Sequence, residues 1–234
     1  MLSPFAVKLI DILPYKLVLV LGKRILNNYL KKNANITIEG FEKIEQANKP
    51  IIFVCNHLSN SDGVILSNIL KEKYDPVFVA GVKLGTDPIT RVGMDTLKTV
   101  PIKPDSADKD AINQIVKLVK GGENLFIFPE GTRSRTGGMI EGKKGIILIA
   151  RLTKATIVPI GLSGTDILLP VAKDGDMGGE TWHHADVHIK FGDPVEMPKK
   201  DKEETKHEYS DRCLDTIMRS IANLLPESYR GVYK

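Results

Sequence analysis

Apolar residues along this chain follow two alternating rhythms: short continuous runs, and stripes that recur every three or four positions. The runs 50–55 and 124–128 are rich in Ile, Val, Leu and Phe, as strands buried on both faces are, and 77–80 and 156–162 read as strands as well. Segments 36–38, 99–102 and 186–191 also read as strands. Pro101 confines 99–102 to a sheet edge, where a missing N–H breaks no ladder. Helical periodicity marks 15–32, 62–73, 106–120, 144–152 and 203–225. In 106–120 the residues Ile112, Ile115, Val116 and Val119 share a face, and Gly121-Gly122 stops the run. Strands alternating with helices predict an α/β fold: a single layered domain with a central, mostly parallel or mixed sheet flanked by helices. No internal repeat interrupts it, and the glycine-rich stretch 174–179 reads as a surface loop.

Residues 1–34 stand apart from the main domain, 35–234. They carry Lys8, Lys16, Lys23, Arg24, Lys31 and Lys32 against one acid, Asp11. Pro14 separates a short first helix from the second, 15–32. Along that second helix Val18, Leu21, Ile25 and Tyr29 form a stripe, while Lys16, Lys23, Asn27 and Lys31 fall largely on another side. The uncharged run from Leu17 to Gly22 is far short of the about 20 residues that cross a bilayer. The pattern predicts an amphipathic arm in a membrane interface, with lysines among the headgroups. The alternative is that the stripe packs on the domain core.

Composition narrows the classes. The chain has 234 residues, 42% hydrophobic and 26% charged, which supports a sizeable core and argues against disorder. A net charge of +4 and a pI near 8.9 suit a phosphate-bearing partner or an anionic membrane. Basic and aromatic residues do not interleave, which argues against nucleic acid. The only cysteines, Cys55 and Cys213, form no CxxC pair, so neither a zinc site nor a redox couple is indicated. Cys55 reads as a small core residue in a reducing, cytosolic setting. No small-residue cleavage site follows the N-terminal apolar stretch, so a cleaved leader is not expected.

Two segments carry the chemistry. Asn56-His57-Leu58-Ser59-Asn60-Ser61-Asp62 follows one buried run, and Phe128-Pro129-Glu130-Gly131-Thr132-Arg133-Ser134 follows another. In open α/β sheets ligands gather beyond the carboxyl ends of strands. A turn through 58–61 lets Asp62 fold back on the imidazole, accept from Nδ1–H and leave Nε2 free as a base. Alternatively Asp62 or Ser61 caps the following helix, and His57 satisfies a loop carbonyl. The spacing itself is weak, because His188 and Asp193 repeat it; His188 lies in an alternating strand and reads as a strand-face histidine. In the second segment Pro129 ends the ladder, Gly131 permits a tight turn, and Arg133 offers a bidentate fork for phosphate. Glu130 can accept from a substrate hydroxyl or fix the arginine; a plain Glu130–Arg133 surface salt bridge is the alternative. Gly137-Gly138 and Gly142 predict a mobile loop beyond. No GxxxxGK[ST] phosphate loop occurs.

Together these segments resemble the first and third motifs of the glycerolipid (lysophospholipid) acyltransferases, and Val158-Pro159-Ile160 resembles the fourth. The resemblance covers roughly residues 35–195. The second motif departs: Lys83 fits, the family's aromatics are missing from Asp87-Pro88-Ile89-Thr90-Arg91, and Lys103 stands near the expected arginine. The resemblance implies transfer of a fatty acyl group from a thioester of coenzyme A or acyl carrier protein to a lysophospholipid hydroxyl. The acceptor it implies is 1-acyl-sn-glycerol-3-phosphate, giving phosphatidate, with no acyl-enzyme. It implies His57 as general base, Asp62 as its orienting carboxylate, and Glu130, Gly131, Thr132, Arg133, Lys83 and Lys103 as substrate-binding residues. It calls for no metal and no cofactor beyond the thioester co-substrate, and for a peripheral or monotopic place on the cytoplasmic face of a membrane. A hydrolase using the same base on water, and a lipid-binding protein without turnover, are the competing expectations.

Overall fold

The computed structural model describes residues 13–81, 97–103, 108–172 and 180–234. Helix α1 (Tyr15–Asn33) leads directly into β1 (Ala34–Glu39). A 3-10 turn (Phe41–Gln46) precedes β2 (Ile51–Cys55) and α2 (Ser61–Leu70). Next come β3 (Val77–Gly81), β4 (Thr99–Ile102), α3 (Lys109–Lys120) and β5 (Leu125–Ile127). The chain continues through α4 (Gly145–Thr153), β6 (Thr156–Ser163), α5 (Thr165–Leu168), β7 (Ala185–Phe191) and α6 (Lys206–Ala222). Two 3-10 turns, Glu227–Tyr229 and Gly231–Tyr233, follow.

The strands form one seven-stranded sheet in the order β1-β7-β6-β2-β5-β3-β4. All neighbours pair in parallel except β6 and β7, so β1 and β7 run against the other five. The sheet is mixed and flanked by helices, as the alternation of elements predicts, with β4 and its Pro101 at one edge.

Strand β2 lies at the centre and is buried at every position. Its alternate residues serve two cores. Ile52 and Val54 join Leu125, Ile127, Ile115, Val119, Ile217 and Ile221 beneath α3, α4 and α6. Ile51, Phe53 and Cys55 join Phe126, Ile65, Leu66, Leu70, Ile44 and Leu30 on the opposite face. A strand sandwiched this way has no polar face to show, which explains its unbroken apolar sequence.

Several boundaries differ from the periodicity. Helix α2 stops at Leu70, because the chain turns through 71–74 and reaches Asp75 at a φ of +35°. Helix α6 starts at Lys206, where Thr205 and Glu208 form a reciprocal capping box, and ends at Ala222. The stripe on α1 divides: Val18 and Leu30 are buried, while Leu21, Ile25 and Tyr29 face outward. Tyr29 stacks on Trp182 at 5.8 Å between centroids. Residues 1–12, the start of the 106–120 helix and the 174–179 stretch lie outside the described residues.

Candidate active site

Strands β2 and β5 are parallel neighbours, so their carboxyl ends release the two motif segments side by side. Asn56 closes the β2 end. Its Oδ1 accepts from Leu162 N–H at 2.9 Å and its Nδ2 donates to Leu162 O at 2.8 Å, so the side chain extends the ladder to β6 as a backbone amide would. His57 then leaves the sheet, and four residues later the chain is already helical.

That tight return brings Asp62 back to His57, with Nδ1 2.8 Å from Oδ2. The same oxygen accepts N–H groups from Leu58 at 2.7 Å and Ser59 at 2.9 Å. Asp62 thus faces backward into the loop, and no side chain caps α2 at Asn60. An oxygen accepting from two amides is an acceptor toward the ring as well. Nδ1 therefore carries the proton and Nε2 presents its lone pair. Asp62 is wholly buried, and its Oδ1 has no partner among the described residues. Its charge is aimed at the imidazole. The His57 ring lies flat on Phe128, with centroids 4.0 Å apart and planes 16° apart, and its side chain remains 21% exposed. Packing fixes one face of the ring while Nε2 stays unbonded among the described residues.

Glu130 occupies a different position from the one its neighbours in sequence suggest. It is wholly buried, its Oε1 accepts the His57 N–H and its Oε2 accepts the Ile140 N–H, each at 3.0 Å. It forms no pair with Arg133, because Pro129 and the Gly131 turn point the two side chains apart. Arg133 instead donates from Nη1 to Glu180 Oε1 at 2.6 Å. Asn60 Nδ2 donates to the other oxygen of Glu180 at 2.8 Å, and the Glu180 side chain is 2% exposed. Burial pushes the Glu130 carboxyl up to about 7, against two N–H bonds that lower it, while the nearby Asp62 raises it further.

Gly131 adopts a φ of +71°, and its N–H donates to Phe128 O at 3.0 Å, which commits that amide to the turn. Thr132 is exposed on the turn's rim. The turn returns to His57 itself, since Ser134 N–H donates to His57 O at 2.8 Å. Both peptide groups of His57 are therefore held by the Phe128–Ser134 segment. The glycine-rich run beyond Ser134 is tied down by Glu130 and by Tyr233 rather than free.

The resemblance named His57, Asp62, Glu130, Gly131, Thr132 and Arg133 together; the fold puts Asp62 and Glu130 in direct contact with His57, with Gly131, Thr132 and Arg133 on the turn between Glu130 and Ser134. Lys103 is exposed, and its N–H donates to Asp108 Oδ2 at 2.9 Å. Lys83 and the Asp87-Pro88-Ile89-Thr90-Arg91 stretch lie outside the described residues. Glu180 was missed; it is 47 residues from Arg133, and nothing local marks it. Cys55 is fully buried, and burial raises its thiol well above the ordinary range, so it is no nucleophile. His188 is exposed on β7, and Asp193 pairs with Lys43 at 2.9 Å. Among the described residues no cluster of His, Cys, Asp and Glu could hold a metal.

Known proteins with similar sequences and folds are acyltransferases. The acyltransferase family matches residues 35–163. A chloroplastic 1-acyl-sn-glycerol-3-phosphate acyltransferase of Arabidopsis thaliana is 30% identical over 168 residues, 71% of this chain and 45% of that protein. Its counterpart in Brassica napus is 31% identical over 166 residues, 70% of this chain and 46% of that one. The chain thus spans less than half the length of these plant relatives. Among solved structures, the 1-acyl-sn-glycerophosphate acyltransferase of Thermotoga maritima matches with a TM-score of 0.59 and 26% identity, over 89% of this chain and 79% of that one.

Proposed function

This chain belongs to the acyltransferase family, and from that premise we propose that it moves a fatty acyl group from an acyl thioester to the free hydroxyl of a lysophospholipid. The acceptor we propose is 1-acyl-sn-glycerol-3-phosphate, giving phosphatidate. One observation carries the reading: the 2.8 Å His57–Asp62 pair at a strand's carboxyl end, with the carboxylate buried and Nε2 open. The names of the plant and Thermotoga relatives support the choice of acceptor.

In this scheme the acceptor hydroxyl gives its proton to His57 Nε2 as its oxygen attacks the thioester carbonyl carbon. The tetrahedral intermediate collapses, the C–S bond breaks, and the imidazolium returns the proton to the departing thiolate. No acyl-enzyme forms, and Cys55 is too deeply buried to make one. Asp62 holds the ring and stabilises the imidazolium through Nδ1–H. General-base assistance of this kind is worth about 10²–10⁴-fold. Arg133, held by Glu180 through Nη1, directs its remaining N–H groups at the acceptor's phosphate. Lys83 and Lys103 are proposed to add positive charge to that seat.

The substrates live in bilayers, and α1 suits that setting. Leu17, Val20, Leu21 and Ile25 are exposed along a helix that also carries Lys16, Lys23 and Arg24. Among the described residues no helix is long and apolar enough to cross a membrane. We therefore propose that α1 lies in the membrane interface on the cytoplasmic side.

The deciding experiment presents acyl-coenzyme A and acyl carrier protein thioesters separately, with 1-acyl-sn-glycerol-3-phosphate in detergent micelles. Phosphatidate made by wild type and not by His57→Ala is the expected result, and the productive thioester names the donor. Thiol release without phosphatidate in wild type, lost in His57→Ala, would establish hydrolysis instead.

A further inference from the structure

The segment after α6 reaches the far side of the Ser134–Gly142 loop, and the contact is backbone against backbone. Tyr229 O accepts from Met139 N–H at 2.9 Å, and Val232 N–H donates to Met139 O at 3.1 Å. The Tyr233 hydroxyl accepts from Gly142 N–H at 3.1 Å. On its outer side the segment is anchored by Tyr229, whose hydroxyl donates to Asp166 Oδ1 at 3.0 Å, and by Arg230, whose Nε–H donates to Leu225 O at 3.1 Å. The approach is close enough to require glycine. Gly231 has a φ of +53°, and a Cβ there would sit 1.9 Å from Met139 O; a Cβ on Gly138 would sit 2.9 Å from the Gly231 Cα.

Ile140 lies between the two clamped positions, Met139 and Gly142. Its N–H donates to Glu130 Oε2, and Glu130 Oε1 accepts the N–H of His57. A continuous chain of contacts therefore runs from this strap, residues 227–233, through the Ile140 amide and one buried carboxylate, to the peptide that carries the imidazole. Phe128, on the same turn as Glu130, restrains one face of the ring by stacking, and Asp62 restrains Nδ1. Removing the strap loosens the loop that holds Glu130, and with it the hold on the His57 N–H, leaving the Asp62 bond, the Phe128 stacking and the Ser134 bond to fix the ring's height and tilt.

We propose that Gly231 and Tyr233 are positioning residues for the His57 base, acting through Ile140 and Glu130. The role rests on the acyl-transfer reading above. A displacement near 1 Å at a reacting group costs about 10²-fold in rate, so even a partial shift of the loop is measurable.

Gly231→Ala forces a methyl group into Met139 O, and Tyr233→Phe removes only the acceptor of the Gly142 bond. Gly231→Ala is expected to lower kcat by about tenfold or more, and Tyr233→Phe by about threefold, with KM for thioester and acceptor within about twofold of wild type. A second readout needs no substrate. In NMR spectra of the folded proteins the His57 Nδ1–H resonance and its ring nitrogen shifts are expected to move in both variants. Unchanged kcat and unchanged His57 resonances in a folded Tyr233→Phe and Gly231→Ala pair would overturn the proposal. So would a loss confined to KM, which would assign the strap to the substrate seat. If Gly231→Ala does not fold, Tyr233→Phe decides alone. If wild type performs no acyl transfer, the reaction is misassigned, and the NMR comparison still judges whether the strap sets the imidazole.

Discussion

Two histidines in this chain stand five positions before an aspartate, and only one of them is paired with it. His57 bonds Asp62 at 2.8 Å, whereas His188 is exposed and Asp193 bonds Lys43. The difference lies in what the backbone does between the two residues. After His188 the chain stays in β7 through Phe191, so three further residues carry it about 10 Å away before it can turn. After Cys55 the strand is over, and α2 begins at Ser61, so the backbone folds on itself within one short turn. Spacing makes a pair only where a strand ends. The second contrast is solvent: Asp62 is buried and accepts two amides, while Asp193 is open to water and serves a surface ion pair.

Truncating both histidines tests that contrast most severely. His57→Ala should reduce acyl transfer by about 10²–10⁴-fold in steady-state assays, with the circular dichroism spectrum unchanged, and His188→Ala should stay within about twofold of wild type. A folded His57→Ala variant keeping a tenth of the activity would remove the base assignment. Asp62→Asn keeps the shape, and its amide oxygen, held by the Leu58 and Ser59 N–H groups, still meets Nδ1, but the negative charge that stabilises the imidazolium is gone. A loss of about 10²–10⁴-fold in kcat is expected there, and none for Asp193→Asn.

Glu130 sharpens the comparison, because His188 has no buried carboxylate holding its amide. In the unfolded chain this glutamate loses its proton near 4.5, and in the fold it keeps it up to about 7. The native state therefore holds an extra proton between those values. The stability this group contributes is present below pH 4.5 and is lost as pH rises through 7, by up to about 3 kcal/mol. Glu130→Gln abolishes that titration. The difference in unfolding free energy between wild type and variant should shift in the variant's favour from pH 5 to pH 8, measured by urea titration. A constant difference across that range would show that Glu130 is ionised throughout.

The strand ends that made the first histidine pair visible were legible because apolar runs break sharply. The run Ile51 to Cys55 stops at the polar Asn56 and the run from Leu125 through Phe128 stops at Pro129, and those stops located the cleft. Direction was not legible: nothing in the alternation of β7 says that it runs against β6, since side chains alternate alike in both orientations. The short helix α5 escaped notice because four residues complete barely one period. Helix ends moved where capping chemistry outranked periodicity, as Thr205 and Glu208 show for α6. Contacts distant in sequence were invisible for a different reason. Glu130, three positions away, was one of the partners open to Arg133, yet its carboxylate partner is Glu180, which lies between α5 and β7 in sequence. The glycines at 137, 138 and 142 suggested freedom, but Gly138 is small because Gly231 packs against it.

The smallest effect separates two cations, Lys43 and Arg133. Lys43 meets Asp193 on the surface, where an ion pair adds little. Arg133 is mostly buried and shares Glu180 with Asn60, so its orientation is fixed before any ligand arrives. A planar fork held at one nitrogen still offers donors to a phosphate, whereas the lysine offers a solvated point charge already spent on Asp193. Arg133→Ala should therefore raise the acceptor KM by about tenfold while kcat stays within about threefold, and Lys43→Ala should change neither. The sharper variant is Arg133→Lys: it keeps the charge, loses the fork, and should recover less than half of the lost affinity. Full recovery would mean that charge alone holds the acceptor, and that Glu180 orients nothing the reaction needs.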